Sequence, residues 1–130
     1  MSQRLHLRGF TGRNARIGRS LAAHAVNPAL QPTLSLVPLL TLVDSYRDAD
    51  AYCYRDATDR ALVSVAGEEL AGLLRVDLKW LQDIGLDRLS GEEKTQLRAR
   101  YEGIDHPAAR EVVAWLDGYW AISGEAVRTQ

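Results

Sequence analysis

The spacing of apolar residues changes along the chain, from a period of two near the N-terminus to periods of three and four in the second half. In residues 4–10 apolar and polar side chains alternate. Leu5 and Leu7 therefore share one face of an extended segment, and His6 and Arg8 share the other. This alternation predicts a short N-terminal strand.

Two segments of the second half have the pattern of amphipathic helices. The first begins at Glu68, carries apolar residues every three or four positions, and ends at Gly85, a residue type that is common just after a helix. The second starts at Ser90, which forms a capping-box motif with Glu93, and it stops at Gly103. Both helices are predicted from their ends as well as from their periodicity.

A third helix is predicted near the C-terminus. Asp105 is placed to cap its N-terminus, and Pro107 falls in its first turn, where the missing N–H costs nothing. We expect Val112, Leu116 and Tyr119 to line its core side.

The middle of the chain has weaker signals. A helix is expected to begin near Pro38, because the residue before a proline avoids the α region. Its buried side is expected to consist of Leu39, Leu40, Leu42, Val43 and Tyr46. Residues 51–55 and 60–66 are short and rich in β-forming side chains, which predicts a small hairpin. A helix running straight through residues 44–60 is the alternative.

These patterns predict a mainly α protein of the α+β class, with a C-terminal three-helix body, a short N-terminal strand and a small hairpin. The chain of 130 residues is 46% hydrophobic and 25% charged, as expected for one globular domain. No internal repeat or Gly/Ser/Pro-rich linker divides it. We therefore treat residues 1–130 as a single domain, with a basic N-terminal portion at 1–32 and a helical body at 33–130.

The charge is distributed unevenly, although the net charge is only −1. Residues 1–43 contain five arginines and no acid or lysine, a charge of +5. Residues 44–130 contain 17 acids and 11 bases, a charge of −6. The five arginines are Arg4, Arg8, Arg13, Arg16 and Arg19.

Clustered arginines indicate an anion-binding surface, because the guanidinium group holds phosphate through two hydrogen bonds. We predict a small non-enzymatic protein whose N-terminal arginines bind nucleic-acid phosphates or a nucleoprotein complex. Phe10 is the sole Phe, Tyr or Trp before Tyr46, which favours contact with the phosphate backbone over base stacking. The alternative is that these arginines pair with the chain's own carboxylates.

A second hypothesis is a compact inhibitor or adaptor that binds a larger protein, as anti-CRISPR and immunity-type proteins do. The acidic segment 44–59 can mimic phosphate and occupy a basic groove, and exposed aromatic side chains are typical of protein interfaces. A second copy of the chain is a further candidate partner. The interface residues predicted on this basis are Asp44, Asp48, Asp50, Trp115, Tyr119 and Trp120.

The sequence contains no recognisable catalytic or metal-binding motif. The nucleotide-binding glycine patterns, the nucleophile turn and the metalloprotease helix are all missing, and the three histidines share no metal-ligand spacing. We predict no catalytic residue, cofactor or metal. Asp77 falls within an apolar helical stripe, so we interpret it as a buried carboxylate paired with an arginine, for instance one of the N-terminal set. A general acid or base is the alternative.

The expected location is the cytoplasm, without a membrane partner. The chain has one cysteine, Cys53, and therefore cannot form an internal disulfide. Residues 1–10 lack the continuous apolar stretch of a secretory signal, and residues 34–43 are far too short to span a bilayer. We interpret Cys53 as a small residue packed in a strand.

Overall fold

The computed structural model describes residues 3–120, which contain four α-helices and no strand. The helices are α1 (Leu36–Asp48), α2 (Tyr54–Leu78), α3 (Gly91–Tyr101) and α4 (Pro107–Leu116). A π-helical stretch, Lys79–Ile84, continues α2, and short 3₁₀ helices cover Ala15–Ser20 and Ala49–Ala51. The prediction of a mainly helical protein is confirmed, whereas the N-terminal strand and the small hairpin are not found in these residues.

The residues predicted to form a β-hairpin, 51–55 and 60–66, instead belong to a pair of helices, α1 and α2, and to the turn between them. Helix α1 ends where Ala49 takes a positive φ of 47°, so the alternative of one helix through residues 44–60 is also wrong. Alanine and leucine recur at helical spacing through residues 54–66, and this packing outweighs the weak β preference of the tyrosines and valines. The buried apolar residues of this half of α2 are Ala57, Ala61, Leu62 and Ala66.

The predicted helix end at Gly85 and the predicted helix start at Ser90 are confirmed, whereas the helix expected to begin at Glu68 is the second part of α2. Gly67 has non-helical backbone angles (φ 75°, ψ 166°) and divides α2 one residue before the predicted start at Glu68. Gly85 ends the π-helical stretch with a φ of 83°. Before α3, the Ser90 hydroxyl accepts from the Glu93 N–H at 3.2 Å, and the Glu93 carboxylate accepts from the Ser90 N–H at 2.8 Å.

The cap of α4 differs from the prediction by one residue. His106 Nδ1, and not Asp105, accepts from the N–H of Ala108 at 3.1 Å, while Asp105 pairs with Arg110 at 2.7 Å. Pro107 occupies the first turn, as expected.

The buried face of α1 was predicted only in part. Leu42 is buried, but Leu40 and Val43 are exposed. The side chains that α1 buries are Val37, Thr41, Leu42 and Ser45. Two of these are polar, which is why a count of apolar residues places the face wrongly. Glu111 of α4 is also buried, and its carboxylate accepts from the N–H groups of Thr33 and Leu34 just before α1 (2.8 and 2.9 Å).

Residues 3–10, which we call the docked segment, are extended but have no neighbouring strand. Leu5 and Leu7 are fully buried and His6 is exposed, as the alternation predicts. The Leu5 N–H donates to the carbonyl of Leu81 (3.0 Å), and the carbonyl of Gln3 accepts from the Leu86 N–H (2.7 Å). The end of the α2 extension thus takes the place of a strand partner.

Four further N–H groups of the docked segment donate to side chains on helices. These bonds run from Leu7 and Arg8 to Gln82 Oε1 (2.8 and 3.0 Å), from Gly9 to Thr58 Oγ1 (3.1 Å), and from Phe10 to Thr41 Oγ1 (2.8 Å). Buried backbone donors must be paired, and here polar helix side chains accept from them in place of a sheet.

None of the described helices has the length and apolar character needed to cross a bilayer.

Candidate anion-binding surface

The fold divides the five N-terminal arginines into two groups. Arg4 and Arg8, in the docked segment, are paired with other groups of the same chain. The Arg4 guanidinium donates to the Ile84 carbonyl at 3.1 Å and lies 3.5 Å from the carboxylate of Asp87. A cation beside the last carbonyls of a helix satisfies unpaired acceptors and opposes the helix dipole. Arg4 therefore caps the end of the α2 extension.

Arg8 forms a two-point ion pair with Asp83. Its Nη2 donates to Asp83 Oδ2 at 2.7 Å, and its Nη1 donates to Asp83 Oδ1. This hydrogen-bonded pair raises the pKa of Arg8 and lowers the pKa of Asp83 below its ordinary value. Arg4 and Arg8 therefore pair with the chain's own carboxylates, which was the alternative to an anion-binding role.

Arg13, Arg16 and Arg19 belong to a different environment. Residues 11–27, which we call the arginine loop, include these three arginines, no acid and no buried residue. Arg16 lies 3.6 Å from Asp50, but both side chains are more than two thirds exposed. Arg13 and Arg19 form no ion pair within residues 3–120.

Local structure places two of these arginines side by side. Arg16 and Arg19 are three residues apart on the 3₁₀ helix Ala15–Ser20, where residues at that spacing eclipse each other. Asn14 begins this helix, since its side chain accepts from the Arg16 N–H at 2.9 Å. The guanidinium groups of Arg16 and Arg19 consequently extend from one face of a single short helix.

Aromatic contacts hold the arginine loop against α1. His24 Nδ1 and the Tyr46 hydroxyl are hydrogen-bonded at 2.6 Å. The His24 ring also packs edge-on against Phe10 and Tyr46, with centroids 6.1 and 5.8 Å apart. Gly18 approaches the Tyr46 ring so closely that an added Cβ would lie 3.0 Å from its carbon atoms. The loop is therefore exposed and yet anchored.

Between the loop and α1 lies an open cavity of about 490 Å³. Cationic, aromatic and small side chains line it: Ala15, Arg16, Gly18, Arg19, Leu21, Ala23, His24, Tyr46 and Ala49. The arginines of this surface were predicted from the sequence, but His24 and Tyr46 were not predicted as their neighbours. No local signal links these positions, because Tyr46 reaches the loop only through the packing of α1.

The predicted acidic interface is partly neutralised within the molecule. Asp44 accepts from Arg47 and Arg60 at 2.8 and 3.2 Å. Asp48 accepts from Arg47 at 2.8 Å, and this hydrogen bond lowers its pKa. Asp50 is the most exposed of the three predicted acids, at 84% of its side chain. A partner would therefore meet much less free negative charge than the sequence implies.

The three aromatic residues predicted at an interface also differ in their exposure. Trp115 is fully buried in the core, which removes it from any surface. Tyr119 was expected on the core side of α4 but is 78% exposed, and it contacts the partly buried Trp120 edge-on at a centroid distance of 5.3 Å. Only Tyr119 and Trp120 are placed to contact a partner.

Asp77 is fully buried and hydrogen-bonded. It accepts from the guanidinium of Arg100 and, at 3.0 Å, from the hydroxyl of Tyr101. Burial together with the adjacent carboxylate raises the pKa of Tyr101. The arginine comes from α3 and not from the N-terminal set, but the geometry is that of a structural ion pair in which a fully buried carboxylate meets a guanidinium at the edge of the core, on a side chain that is 45% exposed.

The described residues bring no three His, Cys, Asp or Glu side chains together in the manner of a metal site. Cys53 is exposed at the N-cap of α2, so its expected place in a strand was wrong.

No protein-family model matches the sequence, and no curated protein or solved structure is significantly similar to it. The chemistry of the surface is therefore the basis for assigning a function.

Proposed function

We propose that this is a small non-enzymatic binding protein that engages the phosphates of nucleic acid, alone or within a nucleoprotein complex, through Arg13, Arg16 and Arg19. One observation carries the proposal. These three guanidinium groups are exposed on a loop without acids, whereas Arg4 and Arg8 are held by Asp87 and Asp83.

The physical basis is the weak internal neutralisation of the loop. An ion pair between exposed side chains is worth at most about 1 kcal/mol, so Asp50 competes poorly with a polyanion for Arg16. The spacing of Arg16 and Arg19 along one helix face lets both act on neighbouring phosphates. Arginine suits this role because its planar group binds phosphate oxygens in pairs.

Binding should depend steeply on salt, because each neutralised phosphate releases counterions. With about three phosphate contacts, the affinity is expected to fall roughly 20- to 40-fold between 50 and 200 mM salt. The measurement is equilibrium binding of labelled random-sequence DNA and RNA, single- and double-stranded, at both salt concentrations. A lack of binding to every nucleic acid at 50 mM salt would reject the proposal.

A second candidate function is docking on a larger protein as an inhibitor or adaptor. It is favoured by exposed apolar surface, since seven of the nine large hydrophobic residues that are exposed in the described part of the chain lie between residues 17 and 43. They are Ile17, Leu21, Val26, Leu30, Leu36, Leu40 and Val43. Tyr119 adds an exposed ring at the other end of the chain.

The two candidates are distinguished by nuclease treatment. Affinity capture with the full chain is carried out on lysate before and after complete digestion of DNA and RNA. Partners held through nucleic acid are lost on digestion, which supports the first function. Partners that survive digestion but are lost in a Leu36→Asp/Leu40→Asp variant support the second, because these two exposed residues share one face of α1.

A further inference from the structure

The cavity beside the arginine loop combines two kinds of surface. Arg16 and Arg19 supply positive charge. The rest of the lining is neutral or aromatic, and most of it is small: Ala15, Gly18, Leu21, Ala23, His24, Tyr46 and Ala49. A simple phosphate-binding patch would not need such a recess, so the cavity requires an explanation beyond backbone contact.

We propose that this cavity receives an unpaired nucleobase, and that the nucleic acid bound by the arginine loop is therefore single-stranded. The inference rests on the proposed function. A nucleotide has the same two-part chemistry as the cavity, with an anionic phosphate next to a flat and partly apolar ring. The phosphate would meet Arg16 and Arg19, and the base would lie against the alanine methyl groups and the ring of Tyr46.

The size and rigidity of the cavity fit this occupant. Its volume of about 490 Å³ falls within the range of small-ligand sites. Its aromatic wall is already ordered, because the His24–Tyr46 hydrogen bond and the edge contact with Phe10 fix the rings in place. A ligand that enters a preformed site loses less free energy to ordering than one that must organise it.

A double helix fits the cavity poorly. Its bases are paired and stacked, and a base must be extruded before it can enter a protein pocket, at a cost in free energy. In a single strand the bases are already accessible, and contacts between bases and rings tolerate any sequence. We therefore expect a preference for single strands of DNA or RNA, with little dependence on base sequence.

The test separates base contacts from phosphate contacts. Binding of a single-stranded 12-mer is compared with binding of a 12-mer made of abasic sites, which carries the same phosphates without bases. The protein is expected to bind the base-bearing strand roughly tenfold more tightly. Both strands should show the same dependence on salt, because their phosphate contacts are equal.

A matched pair of variants locates the effect. Ala15→Leu/Ala23→Leu fills the cavity with aliphatic atoms that offer no ring, whereas Ala22→Leu/Ala25→Leu adds the same bulk at exposed neighbours outside the lining. The first variant is expected to lose the preference for bases while still binding the abasic strand. The second should keep the preference. Circular dichroism and thermal melting of both variants establish that they are folded.

Each outcome has a defined meaning. Equal affinity of the wild-type protein for the two strands would overturn the cavity proposal and leave the phosphate-binding function intact. The cavity proposal is also overturned if the cavity-filling variant retains the preference. Failure to bind either strand at 50 mM salt would also overturn the cavity proposal, and failure to bind double-stranded DNA and RNA as well would reject the proposed function itself.

Discussion

The docked segment and the arginine loop are adjacent in sequence and similarly basic, but the fold uses them in opposite ways. The docked segment buries Leu5 and Leu7 and places both of its arginines against internal acceptors. The arginine loop has no fully buried residue and leaves its three arginines exposed to solvent. The charge of a segment therefore does not by itself show whether that charge is available to a ligand.

Apolar alternation explains the difference. Burying Leu5 and Leu7 contributes about 1.5–3 kcal/mol for each side chain and brings the intervening backbone against the α2 extension. Arg4 and Arg8 are carried with it toward Asp87 and Asp83. The arginine loop has no such alternation of apolar residues, and the contact of Arg16 with Asp50 at 3.6 Å joins two exposed side chains.

The largest expected effect is on stability and comes from the docked segment. Leu7→Ala should lower the free energy of unfolding by about 2–5 kcal/mol, because a fully buried side chain leaves a cavity. Leu21→Ala, in the arginine loop, should change it by less than about 0.5 kcal/mol. Urea denaturation measures both. Equal losses would show that the loop is as tightly integrated as the docked segment.

The same contrast between buried and exposed charge applies to two acids. Asp77→Asn should destabilise the protein by about 1–3 kcal/mol, because the ion pair between this buried carboxylate and Arg100 is lost, while the Tyr101 hydroxyl still has an amide oxygen to donate to. Asp50→Asn, at an exposed position, is the control. Thermal melting and nucleic-acid binding are both measured. Unchanged melting with lost binding would contradict the structural role of Asp77.

Removing the loop arginines should change binding and not stability. The variant Arg13→Gln/Arg16→Gln/Arg19→Gln is expected to lose at least about tenfold in affinity at low salt, with a salt slope smaller by roughly 2–3. Its free energy of unfolding should stay within about 0.5 kcal/mol of the wild-type value. Arg88→Gln, an exposed arginine of the helical body, is the control. A wild-type salt slope in the triple variant would refute the assigned surface.

The smallest effect concerns the Arg8–Asp83 pair. Both side chains are about 40% exposed, so Arg8→Gln should cost less than about 1 kcal/mol at neutral pH. Pairing lowers the pKa of Asp83 in the folded protein. The stabilisation that the pair gives to the fold is therefore fully present above the ordinary carboxyl pKa of about 3.9, and it is lost as the pH falls through the lowered pKa of Asp83. Unfolding at pH 7, 5 and 3 measures this. If the difference in free energy of unfolding between wild type and variant were as large at pH 3 as at pH 7, the Arg8–Asp83 pair could not be its source.

Local sequence signals determined much of the helical framework. The capping box at Ser90, the helix end at Gly85 and the burial of Leu5 and Leu7 on one face all agree with the predictions. These features depend on residues within one or two turns of each other, so they can be identified without knowledge of the fold.

Only the tertiary structure decided which charges and rings are available. It placed Trp115 in the core, paired Arg8 with Asp83, and brought Tyr46 beside the arginine loop. Each of these outcomes joins residues that are far apart in sequence, and none has a local pattern that could have indicated it. The alternation in residues 4–10 indicated which face is buried, but the partner that buries it, a helix end and not a strand, was set by packing.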